Sequence, residues 1–106
     1  MRGLGDIRQL MQQAQKLQAE LAERQRKLAE ARVEASSGGG MVRAVVSGHG
    51  ELVELHLSPE VLAEGDTELL EDLVLAAVKE AQAKAKKLAQ ETMSDLAGGM
   101  PPGMLP

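Results

Sequence analysis

Ile7-Arg8-Gln9-Leu10-Met11-Gln12-Gln13-Ala14-Gln15-Lys16-Leu17-Gln18-Ala19-Glu20-Leu21 is the stretch that decides the fold. Apolar residues recur at Ile7, Leu10, Ala14, Leu17 and Leu21, and the rhythm continues through Leu28 and Ala31. Arg24 is its one break. Alternating steps of three and four place these residues on a narrow seam of one helix, a pattern that seeks a partner helix. Arg8, Lys16, Arg26, Lys27 and Arg32 flank the seam. A long helix that must pair and carries basic edges points to an assembling protein that grips a polyanion, not to an enzyme. Charge on a helix also serves simply to keep it solvated, so the seam is the firmer signal.

The rest of the composition agrees with assembly. The chain has 106 residues, enough for one domain, and contains no Phe, Tyr, Trp or Cys. Its core must come from Leu, Val, Ala, Met and a single Ile. Small domains bury a poor fraction of their surface, and the missing aromatics reduce it further. Without disulfides, oligomerisation is the remedy. No apolar leader and no run of roughly 20 apolar residues is visible, so a soluble cytoplasmic protein without membrane contact is expected. Net charge is −4, unevenly spread. Residues 1–32 carry seven basic and four acidic side chains, residues 33–78 one and nine, and residues 79–106 four and three. Local field, not total charge, steers a polyanion.

Reading outward from the seam, Met1–Gly5 is a short arm and Asp6 the expected N-cap. The helix should run to about Arg32. Val33–Ser37 then reads as a short strand, and Gly38-Gly39-Gly40 as a tight reversal. A phosphate cradle would need Lys and Ser/Thr after the glycines, where Met41-Val42-Arg43 stands. Met41–Ser47 alternates, with Val42, Ala44 and Val46 on one face. Gly48-His49-Gly50 turns the chain. In Glu51–Leu57, alternation sets Val53, Leu55 and Leu57 on one face and Leu52, Glu54 and His56 on the other. Leu52 on the second face suggests cover by another subunit, and Val42, Val46, Leu52 and Leu55 are assigned to a dimer interface. Asp66 is the expected N-cap of a second long helix, whose apolar start should pack on the sheet. Lys79, Lys84, Lys86 and Lys87 would lie on an exposed arm. Gly98-Gly99 should end that helix. The architecture is α+β, ordered α-β-β-β-α, with a three-stranded antiparallel sheet and two long helices. Residues 1–97 form the domain and residues 98–106 a Gly/Pro-rich tail.

No catalytic chemistry stands out. His49 and His56 are the only histidines and fall in opposite strand phase, so neither a metal nor another cofactor is expected. Glu68, Glu71 and Asp72 complement a helix dipole. Nothing pairs a serine with His and Asp, and no small-molecule substrate is implied. Stacking aromatics are absent, which disfavours single-strand recognition. Lys and Arg contacts to phosphates remain, and these position a protein without reading sequence.

Three stretches carry a resemblance. Leu10-Met11-Gln12-Gln13-Ala14-Gln15-Lys16-Leu17-Gln18 is similar to the first-helix motif of the YbaB/EbfC family of bacterial nucleoid-associated proteins. Leu70-Glu71-Asp72-Leu73-Val74 with Ala76-Ala77 resembles its second-helix motif, and Gly99-Met100-Pro101-Pro102-Gly103-Met104 its tail. The glycine turn and the Leu57–Pro59 strand exit fall in matching order. The resemblance spans nearly the whole chain. It implies a tweezer-like homodimer with joined sheets, a cytoplasmic or nucleoid location, no enzymatic activity, and duplex DNA binding with little sequence preference. The DNA-facing residues it implies are Lys16, Arg24, Arg26 and Lys27 on the first helix and Lys79, Lys84, Lys86 and Lys87 on the second. Lys79-Glu80-Ala81 departs from the family's frequent Asn-Asp-Ala, adding positive charge and removing an amide.

Two other classes fit parts of the pattern. Helix–hairpin–helix order with coiled-coil seams also describes a prefoldin-like chaperone or interaction module, although that calls for apolar helix tips. A basic helix could lie on a membrane surface, but Trp and Phe anchors are missing.

Overall fold

The computed structural model describes residues 3–97. Helix α1 spans Gly3–Glu30, strands β1, β2 and β3 span Arg32–Ser37, Val42–Ser47 and Leu52–Leu57, and helices α2 and α3 span Pro59–Ala63 and Thr67–Ala97. The strands form an antiparallel meander in the order β1-β2-β3. The expected α-β-β-β-α order therefore holds, with one short helix added. The expected Gly98-Gly99 helix stop and the tail lie outside the described residues.

Several boundaries differ from expectation, each for a local reason. Helix α1 begins at Gly3, so Asp6 sits inside its first turn instead of capping it. At its other end it stops at Glu30, and Arg32 opens β1. The Arg32 guanidinium donates to the carbonyls of Ala29 and Ala31 at 3.1 and 2.9 Å, satisfying acceptors that the helix end leaves open. Gly38, Gly39 and Gly40 all take positive φ in one tight turn between β1 and β2. Ser58 caps α2, its Oγ accepting from the Val61 amide, with Pro59 opening the helix. Asp66 caps α3 as expected, its Oδ1 accepting from Leu69 N at 3.0 Å.

The core lies between α3 and the first two strands. Val42, Ala44 and Val46 of β2 and Ala35 of β1 meet Ala77, Ala81 and Ala85 of α3, with Val61 at one end. The apolar start of α3 packs on the sheet as expected, with Leu70, Leu73, Val74 and Val78 half-buried against this core, and the contact runs on for two turns through small residues. Alanines let the helix approach closely, which suits a core without aromatics. Ser37 Oγ donates to the Leu73 carbonyl at 2.6 Å and fixes where α3 crosses.

Val42 and Val46 are fully buried inside the protomer. Their assignment to a dimer interface is wrong: the face read as half-buried is covered by the chain's own α3. Leu52 and Leu55 remain 50% and 39% exposed. The pairing also corrects the phase of β3. Val46 faces Leu52, Val45 faces Glu54 and Ala44 faces Leu55, leaving Val53 as an extra residue. This bulge puts Leu52, Leu55 and Leu57 on one side, the side of the core.

Candidate nucleic-acid interface

The two long helices leave the sheet at the same end. The Gly48 amide donates to Leu28 O at 2.8 Å, His49 Nε2 lies 3.3 Å from Gln25 O, and Gln82 Nε2 donates to Gly50 O at 3.1 Å. The β2–β3 turn is therefore held by α1 on one side and α3 on the other. Ser47 Oγ stiffens it by accepting from the amides of His49 and Glu51. Beyond this junction α1 continues toward Gly3 and α3 toward Ala97. The molecule extends to 78 × 22 × 16 Å, dominated by the 28-residue α1 and the 31-residue α3.

The candidate cations are not equivalent. Arg26 is held by its own helix: Nε donates to Glu23 at 3.0 Å and Nη1 to both oxygens of Glu30 at 2.9 Å. The hydrogen bond from Arg26 holds the Glu23 carboxyl below its usual range, and both carboxylates raise the Arg26 pKa. The spacing Glu23-x-x-Arg26-x-x-x-Glu30 was the available signal for this clamp. Arg24 is half-buried, and its Nε is buried without a hydrogen-bond partner. Lys16 is exposed and lines a shallow polar groove with Gln9, Gln12 and Gln13. Lys27 is exposed as well, beside Glu20, Glu23 and Arg24.

On α3, Lys79, Lys84, Lys86 and Lys87 are all exposed. They are exposed as expected, but Lys84 and Lys86 lie against the sheet and its turn and not on an arm clear of it. Lys84 Nζ donates to Glu34 O of β1 at 3.4 Å and lies 4.0 Å from Glu80. Lys86 lines a cleft beside the β2–β3 turn with Gly48, His49, Gly50, Gln82 and Ala89. Lys84 and Lys87, three apart, share the flank over β1, whereas Lys79 and Lys86, seven apart, share the opposite one. Residues 79–87 hold four lysines and one carboxylate, Glu80.

The acidic groups gather at the other end of the sheet. Glu60 and Glu64 on and after α2 and Glu68, Glu71 and Asp72 at the start of α3 surround the end where Ser58 N donates to Met41 O. Asp72 and Lys86 stand roughly 21 Å apart along the helix axis. That exceeds two Debye lengths at physiological salt, about 8 Å each. The acidic start of α3 is thus screened from Lys84, Lys86 and Lys87, whereas Lys79, about 10 Å from Asp72 along the helix, is not. Among the described residues no group of His, Asp or Glu could hold a metal ion. No described helix is long and apolar enough to cross a membrane.

The YbaB/EbfC DNA-binding family matches residues 3–100. The chain belongs to that family. A nucleoid-associated protein of Rhodococcus opacus is 43% identical over 104 residues, covering 98% of this chain and 92% of the relative. One of Streptomyces avermitilis is 45% identical over 104 residues, with the same two coverages. The crystal structure of an uncharacterized Helicobacter pylori protein superposes with a TM-score of 0.66 at 27% identity, covering 87% of this chain and 92% of that one. The resemblance carried by the helix motifs is therefore confirmed over the whole described fold. This YbaB/EbfC member belongs to a family defined by DNA binding and not by catalysis.

Proposed function

We propose that this YbaB/EbfC protein binds duplex DNA as a homodimer, mainly through phosphates and with little sequence preference, and so associates with the bacterial nucleoid. The observation that carries the reading is the lysine segment 79–87 beside the sheet junction, whose Lys84, Lys86 and Lys87 stand away from the acidic end. Lys79, Lys86 and Lys87 supply its free charge, Lys84 is partly engaged, and Lys16 and Lys27 extend it along α1. Arg24 and Arg26 contribute less, one half-buried and the other neutralised by its own helix. Lysines without aromatic platforms attract phosphates and leave base edges unread.

The homodimer is supported by the uncovered side of β3. Helix α3 lies over β1 and β2. Leu52, Val53 and Leu55 on the sheet edge stay exposed. Beside them, Leu70, Val74, Leu75 and Val78 of α3 line a shallow apolar groove. An open strand edge next to an apolar patch of this kind invites pairing with a second copy. Mobility-shift titrations with several unrelated duplexes over a salt series test the binding mode. Near-equal affinities and a steep salt dependence are expected. A salt-insensitive complex, or strong discrimination among duplexes, would instead favour specific recognition or a protein partner.

A further inference from the structure

Helix α1 carries an apolar seam that neither the DNA-binding reading nor the β3 contact uses, with Lys27 at its edge shared with the DNA-binding reading. Its seam is buried only at Leu28, near the sheet. Leu21 and Leu17 are each 37% exposed, and Leu10, Met11 and Ile7 stay largely bare. Such a row, regular at heptad spacing, is more than scattered surface apolarity.

The flanking residues specify an occupant. Asp6, Gln13, Glu20 and Lys27 recur every seven residues along one edge of the seam. In an antiparallel pair of α1 helices these edges face each other. The register that sets Leu10 against Leu21 of the second copy, and Ala14 against Leu17, brings Asp6 beside Lys27 of the second copy. It also brings Gln13 beside Glu20, and symmetry repeats each contact. Arg24 then lies against Ile7 of the second copy, with Asp6 of that copy alongside. Arg24 has no carboxylate partner among the described residues of its own chain. A parallel pair would instead set Arg24 against Arg24, like charge on like charge within the seam. Lys27 and Asp6 likewise form no ion pair among the described residues.

We propose that the α1 seam is a second self-association surface, on which α1 of another copy docks antiparallel with Asp6–Lys27 pairs at both ends. The contact is isologous and closes on itself. Combined with a β3-mediated dimer, it links dimers end to end through their arms.

The test is sedimentation velocity on the full chain from low micromolar to several hundred micromolar, without DNA. The wild type should add a second, concentration-dependent association step beyond the β3 dimer, its mass growing as dimers join through their arms. Asp6→Lys and Lys27→Asp, each made alone, should weaken that step by about tenfold or more. The double reversal Asp6→Lys/Lys27→Asp should restore it. Leu10→Gln, at an exposed position, should weaken it without changing far-UV circular dichroism. Equal masses for wild type and all variants at every concentration would overturn the proposal, as would a double reversal that fails to restore the step. Leu55→Asp separates the two contacts: it should remove only the β3 dimer and leave the Asp6–Lys27 rescue intact.

Discussion

The Gly48 amide donates to Leu28 O at 2.8 Å, and a Cβ on Gly48 would stand 2.5 Å from that same oxygen. This contact joins α1 to the sheet so closely that only glycine fits. The neighbours a Cβ would meet are the Leu28 backbone atoms O, Cα and C, which cannot rotate aside. Gly48→Ala should therefore destabilise the protein by about 1–3 kcal/mol, the usual cost of overpacking. It should also loosen the angle at which α1 leaves the sheet. Urea denaturation checks the first effect and small-angle scattering the second. Unchanged stability would mean that α1 docks less tightly than this geometry requires.

Arg26 offers a gain of function. Its guanidinium is occupied by Glu23 and Glu30 within one exposed helix face. Glu23→Gln/Glu30→Gln should free it and remove two negative charges. DNA affinity should rise, and the log–log salt slope should steepen by roughly 1 for each added phosphate contact. The pH dependence has a definite sign. Glu23 titrates lower in the folded chain because Arg26 donates to it. The pair's contribution to α1 is therefore present above the ordinary carboxylate range and is lost as pH falls through the depressed value. Helicity of the wild type should accordingly depend more on acid than that of the double glutamine variant. Circular dichroism against pH measures the difference.

The sequence revealed the elements through their periods. The seven-residue rhythm gave α1, alternation gave β2 and β3, and Asp66 marked the start of α3. Two features escaped. The bulge at Val53 shifts the phase of β3 by one residue, and a two-residue period cannot show an insertion that pairing creates. The second is how far along α3 the sheet contact runs. Leu70, Leu73, Val74 and Val78 pack half-buried against the core, but the fully buried approach falls on Ala77, Ala81 and Ala85. Periodicity finds a helical face but not the depth to which a partner enters it. The same limit misplaced Lys84 and Lys86 on a distant arm, when they flank β1 and the β2–β3 turn.

Val46 and Leu55 should separate folding from association. Val46 is fully buried against α3, so Val46→Asp puts a charge into the protomer core at a cost of several kcal/mol. It should abolish folding. Leu55, more than a third exposed on the edge strand, should accept Asp with the fold kept and the β3 dimer lost. Light scattering beside far-UV circular dichroism distinguishes the outcomes. A Leu55→Asp protein that still sediments as the β3 dimer would move that interface elsewhere.

The DNA surface can be tested with the lysines sorted by engagement. Lys84 already donates to Glu34 O, whereas Lys79, Lys86 and Lys87 are exposed and absent from the ion pairs. Reversing those three to Glu should abolish duplex binding at physiological salt and change stability by no more than about 0.5 kcal/mol, as expected for surface positions. Lys84→Glu alone should weaken binding less. For the wild type, a dimer meeting about six phosphates gives a log–log salt slope near roughly −5. Alanine at Glu68, Glu71 and Asp72, at the acidic end, should raise affinity slightly or leave it unchanged, because screening separates that end from Lys86 and Lys87 and leaves only Lys79 within its reach. Fluorescence anisotropy on one duplex at several salt concentrations reads all of these. Wild-type affinity in the triple reversal would remove α3 from the interface. The slope retained by that variant would then show whether Lys16 and Lys27 on α1 carry the phosphates instead.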